Sequence, residues 1–349
     1  MRPTVTIRAT PEDFEVEELP AYAPSGAGPH LFVRFRKREL DTLVAVRMLA
    51  RRLGVSPRDA GTAGLKDRHA VTTQWASLPL PERAPLPSPD ALSGEGIEVL
   101  ELARHGNKLK TGHLRGNRFA LALRDVPVEA GPALVEALTR IGVEGLPNRF
   151  GRQRFGRHGD NADRALAFMT GAEPAPRDPK VRRLLFSALQ SRLFHEVLDA
   201  RVADGTWSHL LPGDLVGTAG GPKVFTCDDP AREAARLAAG EVWPTGPLFG
   251  AKMPWPSGRP AELERAALST LPDGEALLAR WASLGEGARR ALVLRPAQLS
   301  ASLARPDCVR VEFVLARGAY ATSVLDAVCD AQEPRRSLAE TAEEEPREP

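Results

Sequence analysis

VRVEFVLARGAY, residues 309–320, reads as a strand and the turn that ends it. Val309, Val311, Phe313 and Leu315 alternate with Arg310, Glu312 and Val314, the period of two expected of a half-buried strand. Gly318 then turns the chain into Tyr320. A strand this late in the chain is informative because the sequence before it is helical. Pro179 opens a segment, 179–203, in which Val181, Leu185, Leu189, Leu193 and Val197 recur four residues apart. Segments 160–170 and 229–240 also read as helices, the second capped by Asp228 or Asp229, and more helix is expected over 260–292. Segment 242–259, rich in Pro, Gly and Trp, reads as a long loop.

Upstream of Gly145 the pattern is again one of strands. Val5 and Ile7 alternate with polar residues, and Leu31, Val33 and Phe35 alternate with Phe32, Arg34 and Arg36, which predicts a strand with a basic outer face. A helix follows from Asp41 to Leu53, with Asp41 or Thr42 as cap, Leu43, Val46, Ala50 and Leu53 as its apolar face, and Gly54 as its stop. Segment 79–91 is a Pro-rich loop between strands, 97–103 and 118–124 are again strand-like, and helical periodicity returns over Val128–Ile141. The expected class is α+β: a discontinuous sheet-bearing domain interrupted by a mostly helical insertion. The length of 349 residues agrees with two domains at about 150 residues each.

Several classes are excluded by composition. Cys227, Cys308 and Cys329 form no C-x-x-C pair, so zinc-ribbon and thioredoxin motifs are absent, and a sparse odd count suits a reducing compartment. Met1–Phe14 has no apolar core of a signal peptide, and no run approaches 18 apolar residues, so a cytoplasmic protein without a membrane span is expected. No H-E-x-x-H, P-loop, G-x-S-x-G or G-x-G-x-x-G motif occurs. His195, His209, Cys308 and Cys329 read as structural residues.

Three polar runs remain. GTAGLKDRHAVTTQWAS, residues 61–77, places Asp67 between Lys66 and Arg68, cations that favour a charged carboxylate fit to act as nucleophile or base. A solvated charged turn is the other reading of the same residues. RHGNKLKTGHLRGNR, residues 104–118, and PNRFGRQRFGRH, residues 147–158, contain no acid and carry a formal charge of +9 together. Phe119, Phe150 and Phe155 lie in or beside them, a composition that suits phosphate contacts with base stacking; two solvated basic loops are the alternative. The whole chain is only +2, because residues 333–349 contribute −3 and the remaining body −4. The basic charge is local, and locality is what a polyanion senses when screening acts over about 8–10 Å. Residues 333–349, with six Glu and three Arg, read as a disordered acidic tail.

PEDFEVEE at 11–18, AGLKDRHAVTTQW at 63–75, RHGNKLKTGHLRGNRF at 104–119, GLPNRFGRQRFG at 145–156 and GAYATSVL at 318–325 occur in this order. Together they resemble the TruD family of tRNA pseudouridine synthases, over about Thr6 to Asp330. The resemblance implies isomerisation of uridine to pseudouridine at tRNA position 13, without cofactor or metal, by a V-shaped protein. It implies a discontinuous catalytic domain with a mixed, largely antiparallel sheet at 1–142 and 297–332, and a TruD-specific insertion at 143–296. The catalytic aspartate of the KD motif falls on Asp67. Phe14, Asn117, Phe119, Tyr320 and Lys66 fall on substrate-binding positions. Many family members carry Phe where this chain has Tyr320. Arg68, Lys108, Lys110, Arg115, Arg152 and Arg154 are expected on the RNA backbone. The implied partner is tRNA, bound by a monomer with no obligate protein partner.

Such a reaction gains no atom. A flipped-out uridine would be needed to reach the carboxylate, at a cost of a few kcal/mol. Attack at ribose C1′, attack at uracil C6 and elimination through a glycal are all open to Asp67. A non-catalytic RNA-binding or RNA-folding protein using the same basic surface is the alternative function.

Overall fold

The computed structural model describes residues 2–218 and 221–334. The chain divides into two compact units, one formed by the residues up to Gly142 and from Pro296 onward, the other by Val143–Arg295. Of the acidic segment 333–349, only Glu333 and Pro334 are among the described residues; the rest lies outside them.

The first unit is built on an eight-stranded sheet. Its strands are β1 (Phe14–Pro20), β2 (His30–Arg38), β3 (Gly61–Thr62), β4 (Val71–Pro79), β5 (Ile97–His105), β6 (Leu114–Leu123), β7 (Ala297–Arg305) and β8 (Cys308–Ala316). The spatial order is β7-β8-β6-β1-β4-β2-β5, with β3 paired to β4. Only the β1–β4 pairing is parallel, Glu15 opposite Val71, so the sheet is mixed and largely antiparallel. The late strand β8 pairs with β6 from Val309 opposite Leu123 to Ala316 opposite Gly116. Strand pairing thus closes the first unit across the whole inserted segment.

Helix α1, Thr42–Leu53, covers one face. Asp41 caps it by accepting from the Leu43 and Val44 amides, and Gly54 ends it at φ 71°, a left-handed conformation that costs glycine little. Its buried face is Ala45, Val46, Leu49 and Ala50, packed on Leu31, Val33, Phe35, Ala76 and Leu78. Leu43, expected in that face, is 51% exposed, because the sheet meets the stripe rotated by one position. The expected apolar row of β2 extends one step further than its hydrophobic residues: Lys37 follows Leu31, Val33 and Phe35 on the core side and is fully buried.

The inserted unit is less helical than its sequence suggests. Helices Asn161–Thr170 and Pro179–Ala203 match expectation and share a core with Phe249, Leu268 and Leu277. However, 242–259 is not all loop and 260–292 is not all helix. Val242–Leu248 and Ala288–Ala291 are strands of a four-stranded sheet with Leu215–Thr218 and Gly221–Thr226. Pro244 and Pro247 obscured the first of these. They are tolerated because Val242–Pro244 pairs with one neighbour only and Thr245–Leu248 with the other only, so each proline, lacking an N–H, faces a single ladder partner. Between these strands, helices Gly258–Leu268 and Gly274–Arg280 fill part of the expected helical segment.

Candidate active site

The segment 63–70 leads into β4. Because β1 and β4 are parallel with Glu15 opposite Val71, the residues preceding each strand lie at the same end of the sheet's central strands. Those residues include Arg8 on one side and Asp67 on the other. The Arg8 guanidinium donates to Asp67 Oδ2 at 2.6 Å, and the Asp67 side chain remains 58% exposed while Arg8 is 15% exposed. Arg8 also lies 4.0 Å over the Phe14 ring and bonds Glu333. Its backbone is left-handed, φ 55°, a conformation uncommon outside glycine. Arg8 had no signal in the sequence beyond its place before the PEDF motif.

The PEDF turn is fastened by Asp13, not by Phe14. Asp13 accepts from the Thr10 amide at 2.8 Å and from Arg124 at 2.7–2.9 Å. Burial pulls its carboxyl pKa up, and the Arg124 and Thr10 bonds outweigh that, so the net shift is downward. Phe14 is itself buried, edge-on to Phe119 at 6.3 Å, and Phe119 stacks on Phe313 at 5.4 Å. Phe14 thus lies beneath Arg8, with Phe119 edge-on behind it.

Lys66 turns away from Asp67. Its ammonium donates to Asn117 Oδ1 at 2.6 Å and lies 3.1 Å from Glu18 Oε2, with side chains 7% and 0% exposed respectively for Lys66 and Glu18. Glu18 and Asn117 face each other across β1 and β6. Burial raises the Glu18 pKa, with Lys66 opposing. Gly116, next to Asn117, admits no side chain: a Cβ there would meet the Leu315 carbonyl at 2.1 Å.

The loop carrying Asp67 is anchored from below. Buried Lys37 donates to the Asp67 carbonyl oxygen at 2.8 Å. Burial lowers its pKa to about 8, opposed by Asp41 and Asp67. Thr42 accepts from the Lys66 amide at 2.9 Å. Neither residue was singled out from sequence, although a lysine in register with three core residues is a readable signal.

The remaining expected residues are dispersed. Tyr320 is 51% exposed at the start of helix Ala321–Val328, four residues beyond Ala316, which pairs with Gly116. In the first basic run, Lys110 is exposed, Arg115 donates to the Pro20 carbonyl at 3.1 Å, and Lys108 approaches the Arg58 carbonyl at 3.5 Å. Arg68 is partly exposed beside Asp67. In the inserted unit, Arg152 is exposed and Arg154 donates to Ser191 at 3.1 Å. Phe150 and Phe155 pack on His195, and Arg290 covers Phe150 at 4.0 Å. These rings serve the fold of their own loop. His195 Nε2 accepts from the Phe150 amide at 2.8 Å, and burial, reinforced by Arg149 and Arg290, lowers its pKa to about 4.

Among the described residues, no group of three or more His, Cys, Asp or Glu side chains is arranged to hold a metal ion, and no helix is long and apolar enough to cross a membrane. All three cysteines are buried and free. A family model of tRNA pseudouridine synthase D (TruD) matches residues 4–165 and 174–328. The chain belongs to the TruD family. The tRNA pseudouridine synthase D of Anaeromyxobacter dehalogenans strain 2CP-C is 45% identical over 324 residues, 91% of each chain. That of Xanthomonas axonopodis pv. citri strain 306 is 40% identical over 336 residues, covering 92% of this chain and 90% of the relative. A crystal structure described as a putative TruD of Methanosarcina mazei shares the fold, with a TM-score of 0.76, 23% identity and 94% of each chain covered. Within this TruD-family chain, the Arg8–Asp67 pair lies in the first matched segment.

Proposed function

We propose that this TruD-family chain isomerises uridine to pseudouridine at position 13 of tRNA, with Asp67 as nucleophile and no cofactor. One observation carries the reading: a carboxylate more than half exposed, yet paired with a nearly buried guanidinium that lies over the Phe14 ring. An ion pair kept only for stability gains little at such exposure. A nucleophile must be oriented and reachable; the Arg8 guanidinium orients the Asp67 carboxylate and its exposure leaves it reachable.

In this reading the target uridine leaves its stack and enters beside the exposed Asp67 carboxylate, with Phe14 and Phe119 as apolar support beneath Arg8 and the loop. Asp67 takes up the ribose or the uracil ring while the bond from C1′ to N1 breaks. The detached uracil turns, C1′ bonds to C5 as the bond to Asp67 is released, the C5 proton is lost to solvent and N1 takes up a proton in its place. Substrate and product have the same composition. Arg8 holds the carboxylate in one orientation, and Lys37 holds the backbone that carries it. Arg68, Lys110, Arg115 and Arg152 contact phosphates, while Tyr320 contributes an exposed ring near the β6 end of the site. Residues 1–142 and 297–332 act as the catalytic domain and 143–296 as the insertion, in a cytoplasmic monomer.

Carbodiimide mapping of tRNA treated with the purified protein tests the proposal. A single new adduct stable to alkali at uridine 13 is expected. Strand cleavage, or unaltered tRNA, would overturn it.

A further inference from the structure

The Lys66–Asn117 contact fixes something that the identity of Asn117 does not. An asparagine amide can present either its oxygen or its nitrogen, and crystallographic or steric criteria seldom tell them apart. Here the neighbour decides. An ammonium only donates, so the atom 2.6 Å from Lys66 Nζ must be the amide oxygen. Lys66 cannot move off to allow a flip, because it is buried against the Glu18 carboxylate, and Glu18 is in turn held by the Trp75 amide at 3.3 Å. The Asn117 nitrogen therefore points the other way. Among the described residues it has no hydrogen-bond partner, and the side chain is partly exposed.

We propose that Lys66 is a positioning residue that makes Asn117 an obligate donor, and that the Asn117 Nδ2 donates to a ring carbonyl of the uracil. The proposal rests on the functional reading above and adds the polarity of recognition. Uracil has carbonyls at C2 and C4, placed symmetrically about its N3–C6 axis. Turning the ring about that axis exchanges N1 with C5, which the isomerisation requires, and exchanges the two carbonyls. One fixed donor therefore finds an acceptor both before and after the turn. Cytosine, with an amine at C4, matches the donor in only one of the two orientations. In the other, two donors would face each other, an arrangement that a donor preset by Lys66 and unable to flip penalises.

The near-isosteric Asn117→Asp variant tests the polarity. It keeps an oxygen for Lys66 and replaces the donor by a second acceptor. kcat/KM on tRNA is expected to fall about 10-fold for Asn117→Ala, the size of one lost hydrogen bond, and further for Asn117→Asp, with the loss mainly in KM because the donor is engaged before the turn as well as after it. The salt dependence of KM should move little, which separates polarity from charge repulsion of the RNA. An Asp variant as active as wild type, or more active than the Ala variant, would overturn the proposal, since the amide oxygen would then be the recognising atom. The pair Lys66→Met with Glu18→Gln, which leaves no unpaired buried charge, should lower kcat/KM to the level of Asn117→Ala, again through KM; kcat/KM within twofold of wild type would remove the positioning role. If the wild type forms no pseudouridine, the functional reading fails instead. The order of tRNA binding at high salt, Asn above Ala above Asp, then still decides the polarity.

Discussion

Arg8 grips Asp67 at 2.6 Å while its guanidinium lies 4.0 Å over the Phe14 ring. The ring backs the guanidinium, and the guanidinium holds the carboxylate. Arg8→Met should therefore leave the fold intact and lower kcat by about 10- to 100-fold, the worth of one charge-assisted hydrogen bond. Arg8→Lys should fall between, because a lysine keeps the charge but loses the planar guanidinium. Single-turnover pseudouridine formation by the three proteins checks the order.

Lys37 supports the same carboxylate through its backbone. Lys37→Met removes a buried charge of costly desolvation, so stability at pH 7 should be unchanged or higher, while kcat falls several-fold as the loop loses its anchor. The pH dependence has a definite sign. With a folded-state pKa of about 8 against 10.5, the native protein binds fewer protons than the unfolded chain between those values. Stability of the wild type relative to Lys37→Met should rise with pH across that window and be flat below it. Paired urea unfolding curves at pH 7 and 9.5 measure this.

His195 works in the opposite half of the pH scale. Its folded pKa of about 4 lies below the ordinary 6.5, because the ring is buried beside the Arg149 and Arg290 cations; the neutral ring accepts from the Phe150 amide. Between those values the unfolded chain binds more protons, so the histidine's contribution should be lost as pH falls from 6.5 toward 4. Replacing it by Gln should flatten the acid limb of the unfolding midpoint and loosen 147–158. Hydrogen exchange of the Phe150 amide at pH 5 and pH 7 reads the local effect.

What could be read from sequence, and what could not, follows the range of the interactions. The β8 alternation and the 179–203 repeat are local periodicities, and both elements appear where they were expected. The strand Val242–Leu248 was hidden by two prolines whose tolerance depends on which edge pairs where, a fact of tertiary register. The same holds at the site. Asp67 stands out because its neighbours in sequence are polar and charged. Arg8, Glu18 and Lys37 reach the same loop only through strand pairing, 59 residues away in the case of Arg8. Lys66, adjacent to Asp67 in sequence, faces the other way because Glu18 and Asn117 offer it buried partners.

The central claim is that Asp67 carries the chemistry. Single-turnover conversion of tRNA by Asp67→Asn, which keeps size and polarity but removes the charge, tests it most directly. The expected result is no pseudouridine over the time in which wild type converts all bound tRNA, with tRNA affinity within a few-fold of wild type. Pseudouridine formation by Asp67→Asn at a rate near that of the wild type would contradict the assignment.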